Sequence, residues 1–204
     1  MTAAAAPALA PIDRKEPLPL DTRRGSGAMM LFIATEASLF IMLFVSYWYL
    51  GNGNIEWPQD APPKLHYALI MLGVLLLSSG VLHWGEQQLK RSNFRSATLA
   101  LAGAIALGIV FVALSVLEYM EHLKTLSPRA DAYSSIFYTI VTLHGVHLTF
   151  GLCALAYVLV LPSYEPRDRS PHQPYHTAAM YWHFVDIVWV FVVTFLYVIP
   201  NLRS

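Results

Sequence analysis

Five apolar runs, at roughly 28–50, 65–85, 97–119, 133–161 and 178–200, decide what this chain can become. Each is long enough to cross a bilayer as a helix, which takes about 20 residues at 1.5 Å rise. Strands rarely exceed about ten residues, so length predicts helices where periodicity alone would not. The expected fold is all-α, a polytopic membrane bundle of five transmembrane helices. Composition agrees: 56% of the 204 residues are apolar, 13% are charged, and acidic and basic residues cancel. No global field recruits nucleic acid. The single cysteine, Cys153, excludes an internal disulfide or a cysteine-built metal site, and a small buried apolar role is expected for it.

The connections are short. Gly51 to Asn54 and Pro58 to Pro63 break the first, Pro128 the third, and Pro162 to Pro174 the fourth. They leave one membrane domain, 28–204, after an Ala- and Pro-rich stretch, 1–27, read as a flexible cytoplasmic tail. Orientation follows from Lys and Arg. Arg14, Lys15, Arg23, Arg24, Lys90, Arg91, Arg95, Arg167 and Arg169 lie on one side, against Lys64, Lys124, Arg129 and Arg203 on the other. That bias predicts a cytoplasmic N-terminus and a C-terminus on the outer, periplasmic face. No internal repeat is visible, which counts against a transporter built on inverted halves.

Ionisable residues inside the runs are the candidates for function, because lipid makes them expensive. Glu36 lies about 12 Å into the first run with no basic residue within a helical turn. It must meet a partner from another helix or carry a proton, and both a helix-to-helix staple and a proton- or lipid-linked role stay open. His144, His147 and Gly151 recur at helical spacing in the fourth run, and Gly145 and Gly151 would admit a close helix. In the fifth, His183 and Asp186 share a face, with Asp186 about 9 Å inside. Tyr181, Trp182 and Trp189 accompany them, read as interfacial aromatics against a packed polar face. Depth places Glu36, His147 and Asp186 near one level, predicting a layer in which a histidine links two acids.

Glu118 and Tyr119 close the third run beside Glu121 and His122, where a solvated carboxylate is expected, with Glu118 kept beside Glu36, His144, His147, His183 and Asp186 as a candidate buried polar, proton- or lipid-linked residue. Ser78 and Ser79 should bond back to their own helix, and Glu86 and Lys90 form an ordinary i,i+4 pair. His66 and His83 are expected at the interfaces, and His172 and His176 in a polar loop without an evident partner. No run carries the Glu-x-x-His pattern of di-iron bundles, and a haem would need facing histidines among His144, His147 and His183.

Together the runs resemble subunit III of the haem–copper oxidases, most closely of cytochrome c oxidase. The resemblance rests on Thr35-Glu36 with Phe40 and Phe44, Ser78-Ser79, Glu118-Tyr119, His144-Gly145-Val146-His147 with Gly151, and Tyr181-Trp182-His183-Phe184-Val185-Asp186 with Trp189. It covers 28–200 and corresponds to the short, five-helix form. Departures are Ser115 for the family's Gln, Val141-Thr142-Leu143 before His144, and His66-Tyr67 opening the second span. The resemblance implies an accessory subunit of an enzyme complex, without a catalytic centre or metal of its own. Haems and copper would lie in partner subunits I and II, with a small subunit IV as a further partner. Packing on subunit I, phospholipid binding, support of proton uptake and active-site protection are implied, in a bacterial cytoplasmic membrane. Glu36 takes the place of the family's carbodiimide-reactive glutamate. Quinol oxidases and a nitric oxide reductase-associated homologue have similar third subunits, and a stand-alone proton-coupled transporter is the alternative from another class.

Overall fold

The structure, a computed structural model, describes residues 22–52, 65–125, 131–160 and 172–203. Residues 1–21 of the expected tail, and most of the first, third and fourth connections, lie outside the described residues. Those described are almost all helical, with no strand among them. The helices are α1 (Thr22–Asn52), α2 (Leu65–Lys90), α3 (Phe94–Thr125), α4 (Ala132–Val160) and α5 (His172–Val192). A π-turn (Val193–Val198) and a short α6 (Ile199–Arg203) continue α5. All five long helices are apolar enough to span a membrane.

Helices overrun the apolar runs that announce them. α1 begins at Thr22 and α5 at His172, each six residues before its apolar run. Pro174 falls in the first turn of α5, where a missing N–H breaks no helical bond. His176 therefore sits on a helix, and its Nδ1 lies 3.0 Å from Glu86 Oε1, the atom that also receives Lys90 Nζ at 3.0 Å. What was expected as a plain helix pair is a three-residue clasp between α2 and α5.

Which stripe of each helix turns inward follows from its small and apolar residues. α2 buries Ala68, Met71, Leu75, Ser78, Leu82, Gly85 and Leu89, alternating steps of three and four as in a coiled-coil seam. Facing it, α3 buries Ala97, Ala100, Leu101 and Ala104. Small side chains let the two backbones approach closely, which matters in lipid because apolar transfer drives no association there. α1 buries one stripe, Phe40, Phe44 and Tyr47, and leaves Leu31, Met42 and Tyr49 exposed. α5 is the centre, packed against α1, α2 and α4. Cys153, expected inside, is exposed on α4.

The turn between α2 and α3 is tight enough to force Ser92 into the left-handed region, at φ 60°. Asn93 then caps α3, its Oδ1 accepting the Ser96 N–H at 3.4 Å. α4 is capped more closely, with the Ser134 N–H donating to Asp131 Oδ1 at 2.6 Å. Asp131→Ala should therefore lower stability by about 1 kcal/mol. Asp131→Asn should restore most of that in a thermal melt of the assembled complex, since the amide oxygen still accepts.

Candidate functional site

Consecutive residues on a helix point about 100° apart, so Tyr181, Trp182 and His183 face different neighbours from one turn of α5. The Tyr181 hydroxyl donates to the His147 carbonyl of α4 at 3.3 Å. The Trp182 indole N–H donates to Ser78 Oγ of α2 at 3.0 Å, and that hydroxyl donates in turn to the Leu75 carbonyl at 2.7 Å. His183 Nδ1 shares a hydrogen bond with the hydroxyl of Ser79, which thus leaves its own helix backbone. Tyr181, Trp182 and Trp189, expected as interfacial aromatics, are instead 5%, 0% and 1% exposed and belong to the core. Gly151 makes room for Trp182 as its spacing suggested, whereas the Cβ position of Gly145 meets nothing within 4 Å.

Glu36 finds its partner on another helix. Its Oε2 lies 2.8 Å from His147 Nε2. The other ring nitrogen, Nδ1, is 2.8 Å from the Leu143 carbonyl, which can only accept, so Nδ1 carries a proton. A neutral ring with that tautomer offers a lone pair at Nε2, and a bare carboxylate would repel it. The close contact therefore requires a further proton, carried either by the carboxyl or by an imidazolium. The pair holds one proton between α1 and α4 and is neutral overall in both forms, which makes its place in lipid affordable. The Phe40 ring packs edge-on against the imidazole at 5.0 Å. Glu36 keeps 23% of its side chain exposed.

The expected layer, with one histidine joining two acids, does not form. Asp186, 4% exposed, has its Oδ2 3.9 Å from His183 Nδ1 and belongs to the Ser79–His183 group between α2 and α5. His144 and His147 also part company, since three residues leave them about 60° apart around the helix. His144 turns inward, stacked on Trp189 at 4.9 Å and edge-on to Phe111 at 6.1 Å. Neither of its ring nitrogens has a hydrogen-bond partner. Glu118, expected to be solvated, is turned into the bundle with 9% of its side chain exposed, Oε1 lying 3.7 Å from His122 Nε2. Among the described residues, no three His, Cys, Asp or Glu side chains converge as a metal site.

The model of the family described as cytochrome c oxidase subunit III matches residues 23–200, the whole bundle. The chain belongs to that family. It is similar to cytochrome c oxidase subunit 3 of Synechocystis sp., 31% identical over 177 residues that cover 84% of this chain and 74% of the relative. The subunit 3 of Anopheles quadrimaculatus is 33% identical over 83% of this chain and 67% of its own. That of Alkalihalophilus pseudofirmus is 28% identical over 81% and 82%. As a subunit III, the chain is a multi-pass membrane component of a complex with other oxidase subunits. Its characteristic residues do not form one site. They fall into the Glu36–His147 couple, the Ser79–His183–Asp186 group, and the aromatic core around Trp182 and Trp189. Ser79, His176 and Tyr175 (whose hydroxyl donates to the Leu82 carbonyl at 3.0 Å) join α2 to α5, and no periodicity pointed to these partners.

Proposed function

We propose that this subunit III is the non-redox accessory subunit of a respiratory terminal oxidase, in which oxygen reduction to water is coupled to proton pumping. Haems and copper sit in subunits I and II, and this chain packs on subunit I with its N-terminus in the cytoplasm. Its contribution is to bind phospholipid and to sustain proton uptake and the integrity of the active site during turnover. The observation that carries this reading is the Glu36–His147 couple: a neutral, proton-holding pair inside the membrane, one edge of which is open on α1. Such a pair suits a lipid-facing position, because it exposes no net charge to hydrocarbon and keeps a proton that it can exchange.

Removal of the chain from the purified oxidase is the test. Haem absorbance is expected to survive, while turnover decays faster or proton uptake slows. Loss of haem absorbance on removal would overturn the accessory role. Identification of the copurifying chains fixes the electron donor, since a copper-binding cysteine pair in a soluble partner domain selects cytochrome c over quinol.

A further inference from the structure

A small cavity lies between α3, α4 and the C-terminal part of α5, with room for the centre of one water molecule, about 10 Å³. Ser115, Glu118, Trp189 and Tyr197 are among its lining residues. Two of their polar atoms, Glu118 Oε1 and Trp189 Nε1, are buried without a hydrogen-bond partner; the Tyr197 hydroxyl meets the Glu118 carboxyl, and His122 Nε2 stands off from Oε1 at 3.7 Å, beyond hydrogen-bond length. The indole N–H can only donate, and Oε1 is a carboxyl oxygen that accepts. A buried group left in that condition is destabilising, and native interiors rarely tolerate it. Ser115 supplies a third contact. Its hydroxyl proton goes to the Phe111 carbonyl at 2.9 Å, which leaves oxygen lone pairs free to accept.

The backbone has been shaped to make this place. Trp189 and Tyr197 are eight residues apart, which on a regular α-helix would set them about 80° apart. The π-turn Val193–Val198 lies between them, and the Ile199 N–H reaches back five residues to the Thr194 carbonyl. A π-turn acts as one inserted residue, so eight positions turn like seven and the offset falls to about 20°. Both aromatic residues therefore line the same cavity, with Trp189 and Tyr197 each 1% exposed. Pro200 follows the turn and has no N–H for the Leu196 carbonyl, which favours such a widening at this point.

We infer that this cavity is a binding site for one structural water, which accepts from the Trp189 indole N–H and donates to Glu118 Oε1 and to Ser115 Oγ. Three partners are the usual number for a buried water. The water ties α3 to the end of α5, and with the Tyr197 hydroxyl it completes the partners of a carboxyl turned into the bundle.

The test is a density map of the complex purified through a tag on this chain, at a resolution where other buried waters are visible. Isolated density within about 2.7–3.2 Å of Glu118 Oε1 and Trp189 Nε1 is expected. A dry cavity, an acyl chain inside it, or Glu118 swung out to the headgroup level would each overturn the assignment. A second map, of the Trp189→Phe complex, should show that density lost or displaced with Glu118 still inside. Density unchanged without the indole N–H would refute the role given to Trp189. Should Trp189→Phe fail to assemble, Ser115→Ala serves in its place, with reduced occupancy expected and unchanged density counting against the third contact.

Discussion

Glu36→Ala is expected to lower the melting stability of the assembled subunit by about 2 kcal/mol, while Glu36→Gln stays within about 0.5 kcal/mol of the parent. The asymmetry follows from hydrogen-bond accounting at His147. With Nδ1–H committed to the Leu143 carbonyl, Nε2 of the neutral ring needs a donor. A protonated carboxyl supplies one, and so does the amide of glutamine. Alanine supplies none and leaves the nitrogen facing apolar neighbours, Phe40 among them. Glutamine thus keeps the tie between α1 and α4 but removes the exchangeable proton. The same variant therefore separates the two roles left open for Glu36. If the couple is only a staple, the Glu36→Gln oxidase takes up protons and survives turnover like the parent. If it is proton-linked, uptake slows or inactivation quickens with no change in melting. A Glu36→Gln complex that melts as early as Glu36→Ala would defeat the accounting itself.

The contrast between Glu36 and Asp186 shows what was legible in the chain. Five spans could be read because length and hydropathy are properties of each run alone. Their ends were misplaced for the same reason: hydropathy marks where lipid begins, and a helix continues beyond it. α5 therefore gained His176 and its clasp on Glu86. Depth along a helix was also readable, and it put Glu36 and His147 correctly at one level. Direction around the axis toward a particular neighbour was not. His147 and Asp186 serve different partners, because only packing decides that Asp186 joins His183, which meets Ser79 of α2. Trp182 failed differently. An aromatic near the end of an apolar run suits an interface as well as a core, and neither of the glycines facing it, Gly108 and Gly151, adjoins it in sequence. The π-turn before Pro200 had no signal beyond the proline itself.

Gly108→Val is expected to cost about 3 kcal/mol, of which overpacking supplies the larger part. A Cβ at position 108 would stand 2.7 Å from Leu152 Cδ2 and 2.7 Å from the Trp182 ring. Leu152 can rotate aside, but the indole cannot. On its other side Gly151 leaves so little space that a Cβ there would meet the ring at 3.0 Å. Its N–H is held by Ser78. Trp182 is thus a wedge from α5 set between glycines of α3 and α4 and tethered to α2. In a bilayer, where lipid is as apolar as the core, such close packing carries the association of helices. Shifting the ring also breaks the Ser78 bond, worth about 1 kcal/mol. The decisive measurement is a double-variant cycle on melting temperature and yield of the complex. In a Trp182→Leu background the clash partner is gone, so Gly108→Val should cost at least 1 kcal/mol less than in the parent. Equal cost in both backgrounds would mean that the valine collides with something other than the indole, and α5 would lose its place as the element on which the other helices close.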